Sequence, residues 1–109
     1  MAYVLVWEFV VREGAEAAFE SAYGPDGDWA KLFSRSPGHI RTELVRDTGN
    51  PLRYLTFDSW TSMEDCEEFH RCNEAEYKNL DERCETLTMR ETQIGTFLTT
   101  EPHRRTTSA

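Results

Sequence analysis

Leu52 to Trp60 is a run of aromatic and β-branched residues with no glycine, and it passes into helix-forming sequence without a spacer. Its alternation places Tyr54, Thr56, Asp58 and Trp60 on one side of a strand. Thr61 and Glu64 then have capping-box spacing, in which each side chain satisfies the other's backbone N–H. Beyond them, Met63, Cys66, His70, Asn73, Tyr77, Leu80, Cys84 and Leu87 recur at alternating intervals of three and four, which predicts one buried helix face. Two polar residues, His70 and Asn73, interrupt that face. A break near Cys72–Asn73 is the alternative. Asn73 would then cap a second helix, Phe69 and Cys72 would turn inward, and His70 would face solvent. The spacing leaves both readings open.

The rest of the chain supplies partners for this strand and helix. Tyr3 to Val11 is apolar on both sides, with Tyr3, Leu5, Trp7, Phe9 and Val11 opposite Val4, Val6, Glu8 and Val10. Such a strand is central and covered on both faces. Ala15 to Tyr23 reads as a helix, stopped by Gly24-Pro25-Asp26-Gly27. A short helix, Trp29 to Ser34, precedes Ser36-Pro37-Gly38. His39 to Asp47 alternates like an edge strand, with Ile40, Thr42 and Leu44 on one side and His39, Arg41, Glu43 and Val45 on the other. Thr48-Gly49-Asn50-Pro51 makes a hairpin turn back into Leu52–Trp60. Met89 to Leu98 is the last strand. The order is β-α-β-β-α-β, an α+β ferredoxin-like unit with a four-stranded antiparallel sheet and its helices on one face. The domain is expected over residues 1–99, with a disordered polar tail over 100–109. The bare sheet face calls for a cover, and a second copy of the chain is the expected one.

Charge and cysteine usage exclude several roles. A net charge of −8 over 109 residues repels nucleic acid and anionic membranes. No apolar run approaches the length of about 20 residues that spans a bilayer. The three cysteines, Cys66, Cys72 and Cys84, are odd in number and fit reduced thiols in a cytoplasmic protein. Cys66 and His70 share a helix face, but no C-x-x-C pair supports a zinc site, so no metal is expected. There is no Gly-rich phosphate loop, dinucleotide fingerprint or nucleophile elbow. An oxygenase on this chain would use its substrate's own electrons, or a cofactor that leaves no motif; none is assigned.

The run Tyr54-Leu-Thr-Phe-Asp-Ser-Trp60-Thr-Ser entering a Glu-rich helix, together with Ser36-Pro-Gly-His-Ile-Arg-Thr-Glu-Leu-Val-Arg-Asp47, resembles the antibiotic biosynthesis monooxygenase family. The likeness spans Ala2 to Leu98. It implies this fold, paired as a homodimer into a dimeric α/β barrel. The family includes cofactor-independent monooxygenases that convert polycyclic phenols to quinones, quinol oxidases and haem-degrading enzymes. The haem-degrading pattern is not met. Laid on this chain, its Asn falls on Trp7, its Trp on Phe69 and its ligating His on Asn79.

The resemblance implies an oxygenase or quinol oxidase acting on a small aromatic substrate, with a non-catalytic dimeric module for a small hydrophobic ligand as the alternative. Trp7, Tyr23, Trp29, Tyr54, Phe69 and Tyr77 can line an aromatic pocket for a flat ring. Each is equally a core residue by type. His39 and His70 are the candidate bases for a phenolic proton. Asp58 or Asn79 can orient a hydroxyl. The acidic run Glu64, Asp65, Glu67 and Glu68 reads as a solvated helix face.

Overall fold

The computed structural model describes residues 1–100. From residue 101 onward, the expected tail lies outside the described residues. Four strands, β1 (Tyr3–Val11), β2 (His39–Arg46), β3 (Arg53–Trp60) and β4 (Thr88–Leu98), form one sheet in the order β2-β3-β1-β4. Every pairing is antiparallel. The helices are α1 (Glu16–Tyr23), α2 (Asp28–Phe33), α3 (Met63–Cys72) and α4 (Glu74–Cys84), followed by a 3₁₀ turn over Glu85–Leu87. This is the expected α+β ferredoxin-like order, with the second helix divided. The most apolar strand, β1, is central, and β2 lies at an edge as its half-polar alternation predicts.

The core lies between the helices and the sheet. Val11, Phe19, Tyr54, Trp60 and Phe69 are its most deeply buried large side chains. Full burial of each such residue stabilises the fold by about 1.5–3 kcal/mol before entropy is counted. Phe19 stacks on Tyr23 at 4.2 Å, and Phe33 meets Phe69 edge-on at 5.4 Å. Aromatic pairs of this kind add modestly to the burial term.

Several local expectations shift. The cap of α3 is Ser62, not Thr61: its hydroxyl accepts from the Asp65 N–H at 3.0 Å. The Thr61 hydroxyl instead bonds the Asp65 carboxylate. The helical stripe breaks at Asn73, whose φ of −126° leaves the helical region. Asn73 does not cap α4 through its side chain. Its amide Nδ2 donates back to the Phe69 carbonyl at 3.0 Å, closing the end of α3. Phe69 turns inward, as a break requires, but Cys72 is exposed. His70 does not face solvent freely; it is partly buried.

The β2 register also departs from simple alternation. His39 pairs with Trp60 and Arg41 with Ser59, so Ile40 is the extra residue of a bulge. The bulge moves His39 onto the same face as Thr42, against the rings of Phe33 and Trp60 at 5.6 and 5.2 Å. Gly38 makes this approach possible. A Cβ there would lie 2.6 Å from the Asp65 Cβ at the start of α3. The Gly38 carbonyl accepts from the Thr61 N–H at 2.8 Å, fixing the entry to β2 against the start of α3. In β4, register shifts at Ile94 and Met89 likewise break the expected alternation.

Candidate functional site

The helix-facing side of the sheet does not close completely against α2, α3 and α4. A cavity of about 170 Å³ remains. Its sheet wall is built by alternation: Leu5, Trp7 and Phe9 from β1, and Thr56, Asp58 and Trp60 from β3. Thr42 joins from β2 because it pairs directly with Asp58. The helices supply Tyr23, Trp29 and Phe33 on one side, and Cys66, His70 and Tyr77 on the other. Asp81 of α4 and Glu91 of β4, both exposed, complete the lining at the mouth.

Asp58 is the most perturbed acid in the cavity. The Thr42 hydroxyl donates to its Oδ1 at 2.7 Å, and Oδ2 has no hydrogen bond among the described residues. Burial pushes its carboxyl up to about 6, and the Thr42 bond restrains that rise. The Nε2 of His39 lies 3.0 Å from the Thr42 hydroxyl. That hydroxyl has one proton and gives it to Asp58, so Nε2–H donates to Thr42. His39, Thr42 and Asp58 thus form a hydrogen-bonded line from the cavity to the rim.

Burial also shifts the other groups toward their neutral forms. Burial lowers His39 and His70 from the ordinary histidine value. It raises the Cys66 thiol to about 11, with the Asp58 charge adding to the rise. It raises the Tyr77 phenol to about 12. The His70 ring lies 4.9 Å from that of Tyr77 and 5.5 Å from that of Phe69. Glu91 is raised by burial and then by repulsion from Asp81. Trp29 Nε1 is buried without a hydrogen-bond partner among the described residues.

Of the residues singled out in the sequence, Trp7, Tyr23, Trp29, Asp58, His70 and Tyr77 meet in this cavity. Tyr54 does not: it lies in the core, its hydroxyl donating to Glu20 Oε2 at 2.5 Å. Phe69 packs behind the wall, against Phe33 and Trp60. Asn79 is exposed on α4 and outside the lining. His39 reaches the cavity only through Thr42. Reading single residues missed Thr42, which becomes visible only when the hairpin register sets it opposite Asp58. Asp81 had a usable signal, four residues after Tyr77 on the same helix.

Among the described residues, no three His, Cys, Asp or Glu side chains are grouped to hold a metal ion, and no helix is long and apolar enough to cross a membrane.

Comparisons with known proteins agree with this architecture. The fold superposes on SnoaB, a cofactor-independent oxygenase from Streptomyces nogalater, with a TM-score of 0.75 and 23% identity, covering 93% of this chain and 95% of that one. A protein of Bordetella bronchiseptica assigned to the antibiotic biosynthesis monooxygenases superposes with a TM-score of 0.71 at 17% identity, covering 92% and 98%. These identities establish a shared fold. No curated protein sequence matches the chain. The sequence profile described as antibiotic biosynthesis monooxygenase matches residues 2–78. The chain therefore belongs to the antibiotic biosynthesis monooxygenase family.

Proposed function

We propose that this chain is a cofactor-independent monooxygenase that oxidises a phenolic or quinol ring held in the cavity, with Asp58 as the proton acceptor. The observation that carries this reading is the Asp58 carboxylate: one oxygen is held by Thr42, and the other has no donor among the described residues of an aromatic cavity. A carboxylate raised to about 6 is ionised at neutral pH yet more basic than an ordinary one. His39 and His70 are weaker candidates for the base. His39 does not line the cavity, and nothing among the described residues hydrogen-bonds the His70 ring to fix its tautomer.

In this reading Asp58 takes the phenolic proton. The resulting phenolate donates electron density from its para carbon to O₂, and a C–O bond forms there. The peroxide takes up the proton. Loss of the para C–H proton then cleaves the O–O bond and releases water. The phenol and O₂ become a quinone and water, a four-electron oxidation that needs no other reductant. The SnoaB likeness supports the reading at the level of fold. The cavity volume limits what it encloses: a dry cavity of about 150 Å³ holds a benzene ring. One ring is enclosed, and a larger ring system extends through the mouth.

The same proposal includes a homodimer in the cytoplasm. Val4, Val6, Leu55, Phe57 and Phe97 meet on the sheet face away from the helices, around an open depression of about 450 Å³. Phe97 and Leu98 on edge strand β4 are half or more exposed. Apolar surface of this kind marks an interaction site.

The test is O₂ uptake by metal-stripped protein with a panel of polycyclic phenols and naphthoquinols, after subtraction of autoxidation. Uptake that is lost in Asp58→Asn supports the assignment. Tight binding with no uptake across the panel would leave a non-catalytic ligand-binding module.

A further inference from the structure

We propose that the site selects a ring system carrying a protonated amine, seated so that its positive charge meets Asp81 and Glu91 at the mouth, and that it rejects rings bearing a carboxylate. This deepens the function proposed above and rests on the same cavity.

The charge of the lining is one-sided. Asp58, Asp81 and Glu91 line the cavity, and no Lys or Arg among the described residues does. Among the described residues, the arginines that form ion pairs are engaged elsewhere: Arg46 with Glu20, Arg53 with Glu8 and Asp47, Arg35 with Glu76, Arg41 with Glu43 and Arg71 with Glu68. Asp81 and Glu91 take part in no ion pair among the described residues. The one side-chain bond to Glu91 comes from the Thr88 hydroxyl at 3.3 Å. Burial first, and then repulsion from Asp81, raises the Glu91 carboxyl. A bound cation relieves the repulsion.

The walls suit the same charge. Trp29 and Tyr77 pack edge to face at 4.9 Å beside Tyr23, and all three line the cavity. Ring faces attract a cation placed over them, and more strongly when it is desolvated. Among the described residues of the lining, none offers a carboxylate ligand a fork of donors. A carboxylated ring would bring its negative charge beside Asp58, Asp81 and Glu91.

The assay is titration of intrinsic tryptophan fluorescence, checked by calorimetry, with three 1-naphthols that differ only at C5: aminomethyl, hydroxymethyl and carboxylate. The aminomethyl probe is expected to bind at least about tenfold tighter than the hydroxymethyl probe, and the carboxylate probe more weakly than either. The Asp81→Asn/Glu91→Gln double variant should lose the preference for the amine. Equal or tighter binding of the carboxylate probe overturns the proposal. So does a preference that survives in the double variant, or failure of all three probes to bind. O₂ uptake with the same probes separates the two proposals. Charge selectivity without turnover removes the monooxygenase reading alone, and turnover without selectivity removes the amine alone.

Discussion

Thr42 and Asp58 face each other across the β2–β3 ladder, and the Thr42 hydroxyl donates to the Asp58 carboxylate at 2.7 Å. This bond favours the ionised acid, while burial favours the protonated one. Replacing Thr42 with Val keeps the shape and removes the restraint. The acid limb of kcat/KM, placed near pH 6 by Asp58, should then move to higher pH. His39 and His70 also border this region, and both are lowered by burial. A limb that stays in place in Thr42→Val would assign it to one of them.

Asp58→Asn should abolish turnover and yet stabilise the fold. The Asp58 carboxyl lies near 6 in the folded chain against 3.8 ordinarily. Between these values the folded chain holds the extra proton, so the stability from this group is present at low pH and lost as pH rises toward 6. Above pH 6 the variant should be more stable than the parent by roughly 1–3 kcal/mol, and the gap should close near pH 4. The buried histidines act in the opposite sense, losing stability as pH falls below 6.5, but both proteins retain them. Urea melts at pH 4 and pH 8 measure this. The loss in kcat/KM should be at least about 100-fold.

His70→Phe tests the rival base. His70 lies against Tyr77 and Phe69 through ring edges that a phenyl group can reproduce. The variant should lose less than about tenfold in kcat/KM, below the roughly 100-fold or more that loss of a general base costs. A larger loss, with Asp58→Asn still active, would transfer the role to His70.

Phe69→Ala should destabilise the fold by about 3–5 kcal/mol, because Phe69 is 2% exposed and packs between Phe33 and Trp60. Phe69→Leu should cost less and keep ligand affinity, since Phe69 is not in the cavity wall. Loss of affinity in the Leu variant would move Phe69 into the site.

Phe57→Asp tests the sheet face. It places a charge among the apolar residues that line the depression. Light scattering at micromolar concentration should show the parent as a dimer and the variant as a monomer. A monomeric parent would leave that apolar face without its proposed cover.

Strand order, the central position of β1 and the placement of Trp7, Trp29 and Asp58 were legible because alternation and aromatic content report burial directly. Three features were not. The bulge at Ile40 reverses the side on which His39 falls, and one inserted residue leaves no compositional trace. Asn73 could lie within one continuous helix or cap a second; its φ of −126° breaks the helix, and that depends on backbone geometry rather than residue type. Tyr54 and Tyr23 look alike as residues, but Glu20 captures the Tyr54 hydroxyl from a neighbouring helix. Sequence pattern reports which face a side chain takes and says little about which neighbour claims its polar tip.

The break at Asn73 divides labour within the site. Cys66 and His70 reach it from α3, beside Asp58, whereas Tyr77 and Asp81 come from α4. Because the two helices are separate segments, substitutions along α4 can reshape the entrance without disturbing the register of α3 over the sheet. In the proposed reading, a change of guest molecule falls to the eleven residues of α4 and to Glu91, apart from the Asp58 end of the cavity.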